Sequence, residues 1–266
     1  MTAPRGSNTA ELLGASLLEL AGTARLLVAL DFDGTLAPEV DEPEKARALP
    51  EARAAMLRLV AAPNTRVALV SGRALASLET VSENPDRVLL VGSHGIELKL
   101  DSPDTRLSLD DAERARVTEL GTLLGDVADG FDAVWVESKP AGFALHTRLA
   151  TDADSRAAQD LALQRIEAAL PRLTVRHGKN VLEFSVRSTT KGEAIELLRE
   201  HTGATATFFA GDDVTDEDAF AALHAGDLGL KVGHGDTSAN FRVGAPRDVA
   251  PVLNELARLR EASVLA

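Results

Sequence analysis

The stretch Leu26-Leu27-Val28-Ala29-Leu30-Asp31-Phe32-Asp33-Gly34-Thr35-Leu36 decides how the rest of the chain is read. The apolar run reads as a buried strand, and it ends abruptly in two aspartates two positions apart. Aspartate forms strands poorly, and an ionised carboxylate at the edge of a core is costly unless something pairs with it. In an extended chain, residues i and i+2 point to the same side, so Asp31 and Asp33 can converge on one site. Gly34 lets the backbone turn sharply or approach a ligand closely. Taken alone, the stretch also reads as a turn at Asp33-Gly34 with Asp31 as a cap.

Further polar clusters shift that balance. Val67-Ala68-Leu69-Val70 leads into Ser71-Gly72-Arg73, and Thr190-Lys191-Gly192 stands at a helix start. Ala206-Thr207-Phe208-Phe209-Ala210 leads into Gly211-Asp212-Asp213-Val214-Thr215-Asp216-Glu217-Asp218. In open α/β sheets, ligands bind outside the carboxyl ends of the strands. Polar groups placed there strand after strand describe one site assembled from distant segments.

The flanking sequence supports such a sheet. Helices are expected over 9–22, 50–61 and 73–81, with strands at 26–31, 66–71 and 88–92, an alternation that reads as parallel βαβ units. The middle changes character. A helix at 110–125 precedes two short alternating runs, 133–137 and 143–148, joined by the turn Ser138-Lys139-Pro140-Ala141-Gly142. A helix at 152–170 and a second hairpin, 173–176 with 181–186, complete an α+β insert. The α/β pattern then resumes with helix 191–201, strand 205–210, helix 216–224, strand 228–232 and helix 247–260. The fold expected is α/β, a Rossmann-like parallel-sheet core over 1–105 and 188–266, with an α+β cap domain over 106–187 covering its carboxyl edge. Residues 1–8 read as a disordered lead-in.

Composition narrows the function. The chain has 266 residues, enough to bury a sizeable core, and it contains no cysteine, which excludes disulfides and thiol catalysis. A cytoplasmic location is compatible with that. No apolar stretch approaches the ~20 residues of a membrane span, and no basic segment followed by an apolar core opens the chain. Net charge is −13, from 28 basic and 41 acidic residues, which argues against nucleic acid as a partner. An acidic protein repels a phosphorylated substrate at long range, so local cations, a divalent metal foremost, must hold one.

The residue types suit phosphoryl transfer. A carboxylate can attack phosphorus and form an acyl-phosphate, splitting one hard step into two. Carboxylate and phosphate repel each other, so Mg²⁺ is expected to bridge them through oxygen ligands. Asp31 and Asp212 supply carboxylates for it, the Asp33 backbone carbonyl another oxygen, and Asp213 and Asp216 suit water-mediated or supporting contacts. Lys191 suits the phosphate oxygens, with hydrogen bonds from Ser71 or Thr35. Asp33 is spaced to protonate the leaving alcohol and later to activate water. Each cluster also has a plain structural reading. Ser71-Gly72-Arg73 fits a βα turn, Thr190-Lys191-Gly192-Glu193 a capping box, and residues 212–218 an acidic helix start. His94 reads equally as structural or substrate-contacting. The order of the clusters is far more specific than any one of them.

Asp31-x-Asp33-Gly34-Thr35, Ser71-Gly72-Arg73, Lys191-Gly192 and Gly211-Asp212-Asp213-x-Thr215-Asp216 resemble the motifs of the haloacid dehalogenase-like (HAD) phosphatases, and the insert matches their larger, C2-type cap. Within that superfamily the chain resembles the trehalose-6-phosphate phosphatase family. Gly92-Ser93-His94-Gly95-Ile96-Glu97, Glu137-Ser138-Lys139-Pro140, His146-Thr147-Arg148, Gly178-Lys179-Asn180-Val181-Leu182-Glu183 and Gly211–Asp218 point there. The resemblance implies an Mg²⁺-dependent phosphoric monoester hydrolase of trehalose biosynthesis, with Asp31 as nucleophile and Asp33 as general acid/base. It implies metal binding by Asp31, Asp33 and Asp212, and phosphate binding by Ser71 and Lys191 with Arg73 nearby. Glu137, Lys139, His146, Arg148, Lys179 and Glu183 would face the sugar, and His94 is included among the substrate contacts. The family often shows Glu-x-Arg-Pro after the last cap strand, where this chain has Glu183-Phe184-Ser185-Val186-Arg187-Ser188; the position of Arg187 is therefore open. A small-molecule sugar phosphate is the expected partner, and the protein is expected to be a monomer. Other readings are a phosphatase for a different sugar phosphate, a phosphomannomutase-like transferase, or a non-catalytic sugar-phosphate sensor; retention of Asp31, Asp33, Lys191 and Asp212 together argues against the sensor.

Overall fold

The computed structural model describes residues 5–83, 87–101 and 109–263, with side chains from residue 9 onward. It divides into two compact units, one made of Met1–Thr105 with Thr189–Ala266, the other of Arg106–Ser188.

The first unit carries α1 (Arg5–Ala21), β1 (Leu26–Leu30), α2 (Pro50–Ala61), β2 (Thr65–Val70), α3 (Leu75–Ser82), β3 (Leu89–Gly92) and β4 (Glu97–Lys99). The second unit holds α4 (Asp111–Ala128), β5 (Trp135–Lys139), β6 (Gly142–His146), α5 (Asp152–Ala169), β7 (Thr174–Gly178) and β8 (Val181–Ser185). The first unit then resumes with α6 (Lys191–Thr202), β9 (Ala206–Gly211), α7 (Asp216–Ala221), β10 (Leu228–Val232), β11 (Phe241–Val243) and α8 (Val249–Ser263).

The first unit's sheet runs β11-β10-β9-β1-β2-β3-β4. All neighbours are parallel except β3 and β4, which are antiparallel. β1 is buried along its whole length because helices cover both faces. Leu26, Val28 and Leu30 pack into the layer holding Leu17, Met56 and Leu253, while Leu27 and Ala29 pack on the side of Ile195, Leu198 and Phe220. That two-sided burial is why the strand reads as an unbroken apolar run rather than an alternation. Each such leucine or valine contributes about 1.5–3 kcal/mol relative to exposure. β1 lies between β9 and β2, so the chain leaves it in opposite directions across the sheet, the arrangement that opens a crevice at the carboxyl ends.

The second unit is an antiparallel sheet, β5-β6-β8-β7, with α4 and α5. Leu145, Leu182 and Phe184 pack against Leu120, Leu124 and Val127 of α4 and Ala158, Ala162 and Ile166 of α5. α4 opens on a capping box between Asp110 and Glu113, and α5 opens on Thr151, whose hydroxyl accepts from Asp154 N.

Several boundaries move. α1 begins at Arg5, so residues 5–8 of the expected lead-in are helical; residues 1–4 lie outside the described residues. The three-residue strands β4 and β11 go beyond the expected pattern, since neither is long enough to show a period. The first hairpin turns within Pro140-Ala141, which puts Ser138, Lys139 and Gly142 in the ladder. Gly142 is a close-packing position: a Cβ there would lie 1.8 Å from the Phe184 carbonyl oxygen. The glycine that reads as a turn signal is thus what lets β6 approach β8.

Candidate active site

Asp31, Ser71 and Asp212 follow directly after the carboxyl ends of β1, β2 and β9. Asp31 is buried, and its Oδ1 accepts a 3.0 Å ion pair from Lys191 Nζ. Gly34 sits at φ +74°, and a Cβ added there would fall 2.0 Å from Asp212 Oδ2. The turn after β1 can therefore pass this close to the Asp212 carboxylate only because residue 34 is glycine. Thr35 Oγ1 completes the contact by donating to Asp212 Oδ1 at 3.0 Å.

The lysine arrives from the start of α6. Thr190 and Glu193 form a reciprocal capping box, so the structural reading of this segment holds. Lys191, the first helical residue, turns into the core and is 2% exposed, with Nζ 2.6 Å from Asp216 Oδ1 as well as on Asp31. Asp216 is fully buried and saturated: its other oxygen accepts from the backbone N–H groups of Asp212 (2.9 Å) and Asp213 (2.8 Å). Gly211 leaves it room, since a Cβ there would lie 2.3 Å from Asp216 Cγ. Asp216 thus shapes the acidic loop and holds the lysine.

Charge in this cluster is unbalanced. Burial, with Asp216 and Asp212 adding repulsion, pushes the Asp31 carboxyl well above its ordinary value despite Lys191. Burial likewise pushes Asp212 up to about 6, against the hydrogen bond from Thr35. Burial alone would lower the Lys191 ammonium, but Asp31 and Asp216 hold it above its usual range, so it stays charged. One ammonium faces the three carboxylates of Asp31, Asp212 and Asp216, each of which offers an oxygen within 4.8 Å of the others'. The site therefore holds more carboxylate than ammonium in a largely buried setting. A divalent cation with a preference for oxygen ligands fits that donor set.

Asp33 points elsewhere. Its carboxylate takes a two-pronged contact from Arg73, Nε at 2.5 Å and Nη2 at 2.6 Å, and the guanidinium also lies 5.9 Å from the Phe32 ring centroid. Ser71, 2% exposed, has its Oγ accepting from Arg73 N. Beside it, Ser93, His94 and Gly95 all take positive φ (49°, 57° and 109°), a strained path. Glu97 Oε2 steadies that path by accepting from Ser93 Oγ (3.0 Å) and from the first N–H of α3 at Leu75 (2.7 Å). A Cβ on Gly72 would strike the His94 ring at 2.6 Å, so His94 lies directly over the Ser71-Gly72-Arg73 turn.

In the second unit, strand register puts Glu137 opposite Ala144 and Ala144 opposite Glu183, so both carboxylates share the sheet face away from α4 and α5. Lys139, His146, Trp135 and Arg176 belong to the same face. Glu137 is held at 2.7 Å by both His146 Nε2 and Lys139 Nζ. Trp135 stacks on His146 with centroids 4.9 Å apart, and Arg148 lies 5.4 Å from the Trp135 ring. Glu137 and Lys139 are ladder residues and not turn residues, whereas Lys179 occupies the turn between β7 and β8 and Arg148 a turn after β6. Arg187, whose position the sequence leaves open, forms a two-pronged ion pair with Glu113 (2.7 and 2.8 Å) within this unit.

Residues 29–245 match the profile of the trehalose-phosphatase family. The chain belongs to that family. It is 33% identical over 224 residues to the trehalose-6-phosphate phosphatase of Escherichia coli (strain K12), covering 82% of each chain. It is also 33% identical over 244 residues to the bifunctional trehalose-6-phosphate synthase/phosphatase of Thermoproteus tenax; there 90% of this chain matches but only 33% of the relative's length. Among solved structures, the C-terminal domain of C. albicans trehalose-6-phosphate phosphatase superposes with a TM-score of 0.75 at 23% identity, covering 93% of this chain and 96% of that one. The fold is that of the trehalose-phosphatases and HAD-like hydrolases.

Four residues of these two units escape a reading of the sequence. Asp216 reads as a supporting residue, but nothing local says that it tethers both Lys191 and the loop backbone. Glu97 and Lys231 lie on strands whose neighbours sequence does not reveal. Trp135 is the only tryptophan of the chain, and a lone aromatic in an alternating run is the signal that could have marked the polar face.

Proposed function

We propose that this chain hydrolyses trehalose 6-phosphate to trehalose and phosphate, with Mg²⁺ as cofactor and Asp31 as the residue that is transiently phosphorylated. Family membership makes it a phosphoric monoester hydrolase. The observation that carries the mechanism is the buried Asp31–Lys191–Asp216 group beside Asp212, with more carboxylate than ammonium. Asp31 and Asp212 would hold the metal, with Asp33 completing the set that the family resemblance implies. Bound there, Mg²⁺ would offset the repulsion between carboxylate and phosphate.

An Asp31 oxygen attacks phosphorus, and the sugar oxygen leaves. Lys191, already charged beside Asp31, and the Ser71 hydroxyl take the non-bridging phosphate oxygens. Asp33 delivers the proton to the leaving alkoxide and then draws one from the water that cleaves the acyl-phosphate. Both Asp33 oxygens are engaged by Arg73, so that fork opens when Asp33 turns to the leaving group. Arg73 and His94 border the phosphate; Glu137, Lys139, His146, Arg148, Lys179 and Glu183 take the sugar hydroxyls. The enzyme works as a cytoplasmic monomer on this small molecule; among the described residues no helix is long and apolar enough to cross a membrane.

The test is phosphate release from trehalose 6-phosphate, sucrose 6-phosphate, glucose 6-phosphate and mannose phosphates, with and without chelator. Trehalose 6-phosphate should exceed the others in kcat/KM by about tenfold or more, ~1.4 kcal/mol of barrier. A preference for sucrose 6-phosphate would overturn the substrate, phosphate moving between sugar positions would indicate a mutase, and full activity after exhaustive chelation would remove the metal.

A further inference from the structure

Lys231 is a charged residue near the carboxyl end of β10, inside the first unit's sheet, and it is 3% exposed. In register it stands opposite Gly211 on β9, the residue from which the acidic loop departs. Its Nζ donates to the backbone carbonyl of Asp213 at 3.2 Å and lies 3.1 Å from Glu217 Oε1. Glu217 Oε2 in turn accepts from Ser238 N at 2.8 Å. Burial opposes ionisation of Glu217, but Ser238 N, Lys231 and Thr237 together keep its carboxyl below the ordinary value.

Desolvating an ammonium is expensive, and an apolar side chain would fill a strand interior at less cost. Of the two contacts this charge makes, one is to the carbonyl of Asp213 in the acidic loop and the other to Glu217 in the first turn of α7, which directly follows that loop. Asp216 grips the loop through the N–H groups of Asp212 and Asp213, and Lys231 grips it through the carbonyl of Asp213. The peptide groups flanking Asp213 are thereby fixed on the N–H and C=O sides, and with them the direction in which Asp212 leaves the backbone. We infer that Lys231 is a positioning residue that sets the Asp212 carboxylate for a divalent cation. This rests on the metal reading above and names a residue that holds a ligand in place without touching substrate.

The sign of the effect separates positioning from simple charge. Removing a nearby positive charge tightens cation binding by Coulomb's law, whereas releasing the Asp213 carbonyl weakens it by loosening Asp212. Mg²⁺ affinity is measured directly, by titration calorimetry and by the shift in melting temperature on adding MgCl₂, for the parent, Lys231→Met, Lys231→Gln and Lys231→Arg. Lys231→Met should bind Mg²⁺ about tenfold more weakly, the usual consequence of losing a group that orients a metal ligand. Lys231→Gln, which can still donate to the carbonyl, should fall between Met and parent, and Lys231→Arg should recover most of the affinity. Affinity in Lys231→Met equal to or tighter than the parent's overturns the inference; should that variant not fold, the same outcome in Lys231→Gln overturns it. A parent protein without any Mg²⁺ response overturns the metal reading and this inference with it.

Discussion

Asp31 is costly where it stands. It is buried, it faces two further carboxylates, and one lysine answers them all. Such a residue is retained only if the charge is used, and a nucleophile backed by an ammonium uses it. Asp31→Asn keeps the shape and the hydrogen bond to Lys191 while removing the oxygen proposed as the nucleophile. The variant should remain folded by circular dichroism and lose phosphatase activity by far more than tenfold, a loss of barrier lowering well above ~1.4 kcal/mol. Turnover within tenfold of the parent would mean that Asp31 is not the phosphorylated group. Two glycines matter as much as the acids here. Gly34 and Gly211 each leave the space that an aspartate side chain occupies, which is why a motif of acids is interleaved with residues that have no side chain.

The elements do different work in the two units. In the parallel sheet the strands deliver single residues at their ends, and the interior is mainly apolar, with Lys231 and Thr207 as buried exceptions. In the antiparallel sheet one face packs on α4 and α5, and the other carries charge along its length. On that face the hydrogen bond from His146, aided by Lys139 and opposed by burial, draws the Glu137 carboxyl down to about 2. A lowered carboxylate stabilises the folded state above its ordinary value of about 4.3, and that contribution is lost as pH falls toward about 2. Because the side chain is 44% exposed, screening limits the contribution to under ~1 kcal/mol. Glu137→Gln should therefore melt slightly below the parent at pH 6, and the gap should close between about pH 4.5 and 2. A gap that stays constant down to pH 2 would place the effect in packing.

The first unit is assembled from both ends of the chain, and a buried arginine helps to join them. Arg260 of α8 is 3% exposed. Its guanidinium donates to Thr65 Oγ1 (3.1 Å) and to the carbonyls of Ala21 (2.8 Å), Thr23 and Asn64 (2.8 Å), closing the loops that precede β1 and β2. Burial lowers its affinity for the proton, yet the planar fork of donors repays the cost in a way lysine cannot copy. Arg260→Met should lower unfolding free energy by about 2–4 kcal/mol, as expected when several buried carbonyls lose their donor. Activity per folded molecule should be unchanged, because the arginine serves the edge of the sheet away from Asp31. Urea denaturation with a parallel phosphatase assay reads both; a stability change below ~0.5 kcal/mol, the scale of an ordinary surface substitution, would show that the carbonyls are satisfied without it.

Strand and helix order, the insert and the acidic clusters are legible in the sequence itself, for a physical reason. A strand buried on both faces is mostly apolar, so β1, the Val67–Val70 part of β2 and most of β9 announce themselves, and the polar residues that end them stand out by contrast. Backbone preference is local, so the capping box at Thr190 and Glu193 can also be read in place. What a side chain touches is not local. Asp33 and Asp216 look alike in sequence, yet one faces Arg73, 40 residues away, and the other Lys191, 25 residues away. Gly142 looks like a turn and proves to be a gap for Phe184. Lys231 gains its loop contact only because β9 and β10 lie side by side. Patterns of burial are written along the chain, because water acts on each residue separately; the pairing of charges appears only when folding brings distant strand ends together and removes the water between them.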